Sequence, residues 1–303
     1  MDYRKKIIVG SRESPLAVAQ ADIFFKKLKN LLGKKYFKKL EQKFFKTSGD
    51  KFLEKKISTL GNKGLFTKEI DEAQLNFKID IGVHSLKDLP TKLPQGLIIG
   101  AVLKRDTPND LIMTREKVRL KDLKKNAVVG TSSIRRTVQL KKLRPDVEIK
   151  EIRGNVGTRI NKLKNGEFDA IILAHAGLKR LKINENFEKI DIKKMIPSPG
   201  QGVIAIVIRE NDNLLNFLEN LNDTKTLIES ECERNFLSAL DGSCKTPIGA
   251  LARLEVKAKS KILFHYMVAS EDGEKFIKDK TYFEIDNYCK MSFDLGQKIK
   301  KML

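Results

Sequence analysis

Two adjacent arginines open a helical pattern in GTSSIRRTVQL, residues 130–140. Ser132 and Ser133 have the residue type of a helix N-cap. Arg135 and Arg136 then fall in the first turn, where the macrodipole disfavours cations. A local rule broken in this way marks a functional position. Backbone N–H groups at a helix start and two guanidiniums together make a receptor for a carboxylate or phosphate. The plain alternative is that both arginines reach solvent or pair with acids.

The same arrangement recurs along the chain. Arg12 follows an apolar run, Arg153 follows another in IRGNVGTR, and Arg159 lies six residues further on, in the next short helix. Lys87 follows the run ending at Val83, and Arg180 closes the segment after Leu173. Asp88, in VHSLKDLP, is an acid among these cations, so its carboxylate form is favoured. It either pairs with Lys87 for structure or steadies a cation formed during a reaction. Cys244, in LDGSCKTPIG, lies between Gly242 and Pro247, which keep the segment irregular and the thiol accessible. Cys232 and Cys289 fall on helices, where core packing explains them.

The elements that must hold these residues alternate. Residues 6–9 read as a strand, and Ser14 and Pro15 as the cap and first position of a helix. Residues 43–46 and 79–83 read as strands, 65–76 as a helix and 47–64 as a mobile loop. A second unit repeats the plan, with strands at 127–129, 147–152 and 170–173 and helices at 134–143 and from Val156. The halves echo each other: IIVGSRESPLA against AVVGTSSIRR, and IDIGVHSLKDL against FDAIILAHAGLKRL. Alternation of this kind predicts parallel, doubly wound α/β sheets with ligands at the carboxyl ends of the strands, in two lobes facing across a cleft. The chain is expected to cross between lobes near residues 103–106 and 197–202. Beyond Asp223 a long helix, strands near 248–256, 262–269 and 282–285, and a terminal helix predict a smaller α+β domain.

Composition bounds the reading. With 303 residues and 41% hydrophobic, the chain suits two or three globular domains. No apolar run reaches membrane-spanning length, and the start MDYRKKIIVG lacks a secretory apolar region. Three cysteines without C-x-x-C spacing, and three histidines, argue against a disulfide framework or a metal site and for the cytoplasm. The net charge of +21 implies anionic partners or a general lysine bias. Residues 26–46 hold nine lysines against one acid, Glu41, interleaved with phenylalanines. That stretch reads as a solvated face over core-spaced aromatics rather than a nucleic-acid surface.

Nine stretches, in order, resemble the porphobilinogen deaminase (hydroxymethylbilane synthase) family over nearly the whole chain: SRESPLAVAQ, TSGD, GNKGLFTKEI, IGVHSLKDLP, GTSSIRR, IRGNVGTR, FDAIILAHAGLKRL, PSPGQG and LDGSCKTPIG. The resemblance implies two lobes like type II periplasmic binding proteins, residues 1–103 with 200–221 and residues 104–199. It also implies a third domain, 222–303, carrying a dipyrromethane cofactor in thioether linkage to Cys244. It implies a transferase of tetrapyrrole synthesis: four porphobilinogens are condensed head to tail with loss of ammonia, and hydrolysis releases hydroxymethylbilane. By resemblance Asp88 is the catalytic carboxylate. Ser85, Lys87, Ser133, Arg135 and Arg136 hold the cofactor, and Arg12, Asp50, Lys63, Arg153, Arg159 and Arg180 contact substrate. A monomer without metal, membrane or specific nucleic-acid partner is expected. Thr59 and Asn62 depart from the lysine and glycine many relatives carry there.

Two other classes fit parts of the pattern. A solute-binding protein shares the lobes but leaves Cys244 unexplained. A nucleic-acid-binding protein rests on charge alone, with no recognition signature.

Overall fold

Short β-branched runs alternate with amphipathic helices, and the computed structural model follows that alternation. It describes residues 6–32, 39–51, 64–242, 247–255, 261–270 and 272–303. The chain begins with β1 (Ile7–Arg12), α1 (Pro15–Leu32), β2 (Leu40–Phe45), the single turn α2 (Ser48–Lys51), α3 (Lys68–Leu75), β3 (Ile81–Ser85) and β4 (Leu97–Val102). It continues through β5 (Asp110–Thr114), β6 (Val128–Gly130), α4 (Ile134–Leu143), β7 (Glu148–Lys150), α5 (Val156–Lys164), β8 (Ala170–Ala174), α6 (His175–Arg180) and β9 (Glu188–Lys189). After β10 (Ile204–Arg209) and α7 (Leu215–Leu218) come α8 (Thr224–Ala239), β11 (Ile248–Glu255), β12 (Lys261–Ala269), β13 (Phe276–Glu284) and α9 (Tyr288–Lys300).

Two compact units result: Met1–Arg105 with Val203–Leu227, and Asp106–Gly202 with Ile228–Leu303. The first holds a five-stranded sheet in the order β2-β1-β3-β10-β4; the second holds β7-β6-β8-β5-β9. Position by position the two sheets match in strand direction, with β1 at the place of β6 and β3 at that of β8, although the antiparallel strand is the last of its unit in the first sheet and the first of its unit in the second. The sequence echoes between IIVGSRESPLA and AVVGTSSIRR, and between IDIGVHSLKDL and FDAIILAHAGLKRL, fall on those pairs. In each sheet three strands run parallel and the fourth runs antiparallel to both its neighbours: β10 in one, β5 in the other. The expectation of wholly parallel sheets is thereby corrected. Parallel neighbours need a crossover within the unit; β5 and β10 are the strands on which the chain enters or re-enters a unit, and no such crossover constrains them. β4 and β5 have no counterpart in the sequence reading, because runs as short as LIIGAV and DLIMT carry no decisive period.

Each sheet is packed by its helices. Phe24 and Leu28 of α1 are fully buried against Val9, Ile81 and Ile206, each side chain contributing roughly 1.5–3 kcal/mol of burial. The C-terminal segment adds a three-stranded antiparallel sheet, β11-β12-β13, under α8 and α9. Cys232 on α8 is buried in that core, as its position implied. Cys289 is exposed, which corrects the expectation of core packing for it. The buried stripe of α9 is Ser292, Gly296 and Ile299. At Gly296 an added Cβ would lie 2.6 Å from that of Ala239, so the helix meets α8 one to two turns after Cys289.

Candidate functional site

In the first unit β1, β2 and β3 are parallel, so their carboxyl ends share one edge. Arg12 is the last residue of β1, and α2 follows β2 directly. Arg12 donates from Nε to Asp50 at 3.2 Å and from Nη2 to its other oxygen, and its guanidinium lies 4.5 Å from the ring centre of Phe66. Asp50 also accepts from Thr47, at 3.1 Å from its N–H and 2.7 Å from its hydroxyl. Burial pushes the Asp50 carboxyl up, but Arg12 and Thr47 outweigh it and hold the group below the usual range. Asp50 therefore enters the site as the partner of Arg12.

Ser85 ends β3, with its hydroxyl 2.8 Å from Nε2 of Gln20 on α1. A three-residue 3-10 turn, Leu86–Asp88, follows. Leu86 and Leu89 are buried, and Leu86 N–H donates to the Val203 carbonyl at 3.0 Å. Pinned at both ends, the turn leaves Lys87 and Asp88 half-buried. No ion pair joins Asp88 to Lys87, and no described residue hydrogen-bonds the Asp88 side chain. The purely structural account of Asp88, a pair with Lys87, thus has no counterpart among the described residues.

Beneath this edge lie two buried titratable groups with opposed effects. His84 is depressed to about 4 by burial and then by the Arg12 charge. Asp71 on α3 is raised to about 6 by burial, with the charges of Glu69 and Glu72 adding to it. A neutral His84 favours the fold above its unfolded pKa, and that contribution is lost as pH falls toward about 4. A protonated Asp71 favours the fold at low pH, and that contribution is lost as pH rises through about 6. The two slopes offset each other in wild type. Asp71→Asn is expected to steepen the gain in stability between pH 4.5 and 7 by on the order of 2–3 kcal/mol. Urea denaturation at both pH values checks this; an unchanged difference between them refutes it.

In the second unit β6, β7 and β8 are parallel and define the equivalent edge. Because β5 is antiparallel, its first residue, Asp110, pairs in register with Ala174 at the carboxyl end of β8. That places a fully buried carboxylate beside the start of α4. Arg135 Nη1 donates to Asp110 at 2.8 Å and to the Ile196 carbonyl at 2.7 Å. Arg136 donates to Asp110 from Nε at 3.1 Å and Nη2 at 2.7 Å, and from Nη1 to the Ile172 carbonyl at 2.9 Å. Burial raises the Asp110 carboxyl, but the charges of Arg135 and Arg136 and their hydrogen bonds prevail and hold it far below the usual range. Sequence reasoning missed Asp110, since only the antiparallel register carries it to this edge.

Ser133 stands at the N-cap position of α4, but its hydroxyl makes no capping bond; its N–H donates to Thr131 Oγ1 at 3.2 Å. Ser132 donates instead to the Ile152 carbonyl. The expected serine cap is corrected: neither hydroxyl caps the helix, and that of Ser132 is bonded to the Ile152 carbonyl. Arg153 donates to Glu151 at 2.7 and 3.0 Å. Arg159, on α5, donates Nε to the Gly154 carbonyl at 2.8 Å and has no ion pair among the described residues. Burial and then the Arg136 charge pull its pKa down to about 10. Arg180 ends α6 and donates to the Gly202 carbonyl at 2.6 Å. Gly202 has φ +85°, and a Cβ there would lie 2.8 Å from the Asp106 carbonyl, so PSPGQG requires glycine at its end.

The structure thus gathers Arg12, Asp50, Ser85, Lys87 and Asp88 at one edge, and Ser133, Arg135, Arg136, Arg153, Arg159 and Arg180 at another, in separate units. Lys63 and Cys244, with Thr59 and Asn62, lie outside the described residues. Among the described residues no cluster of His, Cys, Asp or Glu suits a metal ion, and no helix is long and apolar enough to cross a membrane.

The sequence profile of "Porphobilinogen deaminase, dipyromethane cofactor binding domain" matches residues 7–216. That of "Porphobilinogen deaminase, C-terminal domain" matches residues 227–303. Porphobilinogen deaminase from a Nitratiruptor species is 43% identical over 96% of this chain and 92% of its own. The protein of that name from Bacillus cereus is 44% identical over 91% and 88%. Among solved structures, the periplasmic aliphatic sulphonate binding protein from Escherichia coli is similar at a TM-score of 0.42, with 12% identity over 77% of this chain and 70% of that one. The chain belongs to the porphobilinogen deaminase family.

Proposed function

We propose that the chain carries out the family's reaction with Asp88 as its catalytic carboxylate and the arginines of both carboxyl edges as carboxylate receptors. The enzyme condenses four porphobilinogens head to tail, with loss of ammonia, on a dipyrromethane primer, and releases hydroxymethylbilane by hydrolysis. The observation that supports the cofactor's fit is the charge surplus in the second unit. Arg136 and Arg159 are close enough for their charges to act on each other, and Asp110 is a fully buried carboxylate that pairs with Arg135 and Arg136 and leaves Arg159 without an ion pair among the described residues. A group with several carboxylates completes such a cluster. When bound, the dipyrromethane supplies the acceptor carbon for the first condensation.

Each round breaks the bond between the substrate's methylene carbon and its protonated amine, releases ammonia, forms a carbon–carbon bond to the acceptor ring's free carbon and releases the proton that carbon carried. Positive charge develops on the substrate as ammonia departs. Asp88, half-buried and without a partner among the described residues, offers a fixed negative charge to that cation and to the pyrrole N–H. Ser85, Lys87, Ser133, Arg135 and Arg136 are proposed to hold the cofactor; Arg12, Arg153, Arg159, Arg180, Lys63 and Asp50 are proposed to meet incoming pyrroles, Asp50 through Arg12. We assign attachment to Cys244. The proposed domains are 1–103 with 200–221, 104–199 and 222–303; the separate sheet β11-β12-β13 supports the last. A cytoplasmic monomer is proposed, the unpaired spacing of three cysteines supporting a reducing compartment.

Incubation with porphobilinogen tests the reading. Ammonia release and uroporphyrin-type pigment after oxidation are expected, and their absence from cofactor-loaded protein refutes it. The arginines divide by stage: Arg135→Leu or Arg136→Leu is expected to leave much of the protein without cofactor. Arg12→Leu or Arg159→Leu loads the cofactor and stalls elongation. Intact mass with and without substrate separates the two groups, and normal loading with normal turnover in all four variants overturns the assignment.

A further inference from the structure

Asp110 has no place in the reaction as described so far, yet it is the residue on which Arg135 and Arg136 converge. Its carboxylate is fully buried and accepts three guanidinium N–H groups, and a fourth bond comes from Gln201 Nε2 at 3.0 Å. The two guanidiniums are not equivalent around it. Arg135 meets Oδ2 through Nη1 alone; Arg136 meets Oδ1 through Nε and Nη2. The Ile196 carbonyl accepts a second bond from the same Nη1 of Arg135, and the Ile172 carbonyl accepts from Nη1 of Arg136. Arg135 therefore keeps its Nε and Nη2 edge, and Arg136 a second N–H on each terminal nitrogen, for another acceptor. One carboxylate faces two cations, so the cluster stays positive after Asp110 is satisfied.

We infer that Asp110 is a positioning residue for the reaction: it locks the inner faces of Arg135 and Arg136 so that their outer N–H groups stand ready for a carboxylate of the dipyrromethane. The inference rests on the reading that these two arginines hold the cofactor. Long cationic side chains lose rotamer freedom on binding, and a buried acceptor that orders them beforehand removes that cost from the binding step. A charge left over after pairing keeps the site attractive to an anion, whereas a second buried acid would cancel it.

Glu233 is the comparator. It too is a fully buried carboxylate in this unit, but it accepts backbone N–H groups, from Gly200 at 2.7 Å and Ala252 at 2.9 Å. Asp110→Asn and Glu233→Gln are each expected to lower the melting temperature. In the folded fraction, Asp110→Asn is expected to lose cofactor loading by mass and about tenfold or more in kcat/KM, the scale of loss when a group that orients a ligand is removed. Glu233→Gln is expected to load and turn over as wild type. Full loading in folded Asp110→Asn, beside poor loading in Arg135→Leu and Arg136→Leu, overturns the positioning role alone. Full loading in the arginine variants overturns the cofactor reading beneath it.

If Asp110→Asn yields no folded protein, Cys244→Ala full-length protein carries the test, since it retains Asp110 and lacks the cofactor's attachment point. Nitrogen-15 spectra are expected to show Arg135 and Arg136 guanidinium signals already slowed in rotation. Freely averaged signals at both positions overturn the proposal.

Discussion

Asp88→Asn is expected to lower turnover about a hundredfold or more while the protein stays folded. The expectation comes from where the side chain sits. Leu86 and Leu89 anchor the 3-10 turn in the core, so the turn does not need the carboxylate to hold its shape. No described residue pairs with the carboxylate, so removing its charge strands no buried cation among them. The charge is then available to the substrate, where a preorganised negative group beside a developing cation is worth several kcal/mol in the transition state. Asn preserves the shape and removes the charge. Glu preserves the charge and displaces it by one methylene, so Asp88→Glu is expected to fall less. Melting temperature beside single-turnover ammonia release measures both. Near-normal release from well-folded Asp88→Asn removes Asp88 from the mechanism. A large loss of stability with unchanged specific activity makes it structural instead.

Cys244→Ala is expected to abolish turnover and to lack two pyrrole units of mass that wild type carries. The flanking backbone explains why a cysteine there suits attachment. Upstream, Asp241 and Gly242 N–H groups bond to Ser238 and Leu237 carbonyls at 3.1 and 3.0 Å, closing α8; downstream, Ala269 N–H bonds to the Pro247 carbonyl at 3.1 Å. A Cβ at Gly242 would lie 2.5 Å from both Leu237 and Ile248, so the entry to the segment is closely fitted. Its two ends are therefore tied into the C-terminal core. The other thiols serve as controls of opposite kind. Cys232 is buried, and burial pushes its thiol far above the ordinary range, which removes the nucleophilic thiolate. Cys289 is exposed and open to alkylation. Cys232→Ala and Cys289→Ala are expected to retain the added mass. Peptide spectra that place the pyrroles on Cys289, or active wild type with unmodified Cys244, overturn the assignment.

Local chemistry is written in the chain itself. Apolar periods mark the strands that became β1, β3, β6 and β8 and the helices α1, α4 and α8, because burial of one face is a local demand. The positions of Asp88 after β3, and of Arg135 and Arg136 after β6, are legible for the same reason: a strand followed by a turn delivers the next residues to its carboxyl end. Gly242 and Pro247 lead the sequence to be read as a loop around Cys244, a residue that lies outside the described ones.

Partnership is not written there. That Arg12 meets Asp50 depends on β2 lying parallel beside β1, and that Arg135 and Arg136 meet Asp110 depends on β5 running antiparallel to β8. Neither register has a local signal, since strand direction follows from how the chain enters the unit. Exposure of Cys289 is likewise set by where α9 meets α8. Sequence by itself determined which residues carry charge or a thiol and which end of a strand they follow. The tertiary structure alone decided which charges neutralise one another and which are left over, because hydrogen bonds between residues 25, 26 and 38 positions apart exist only once the sheets have paired.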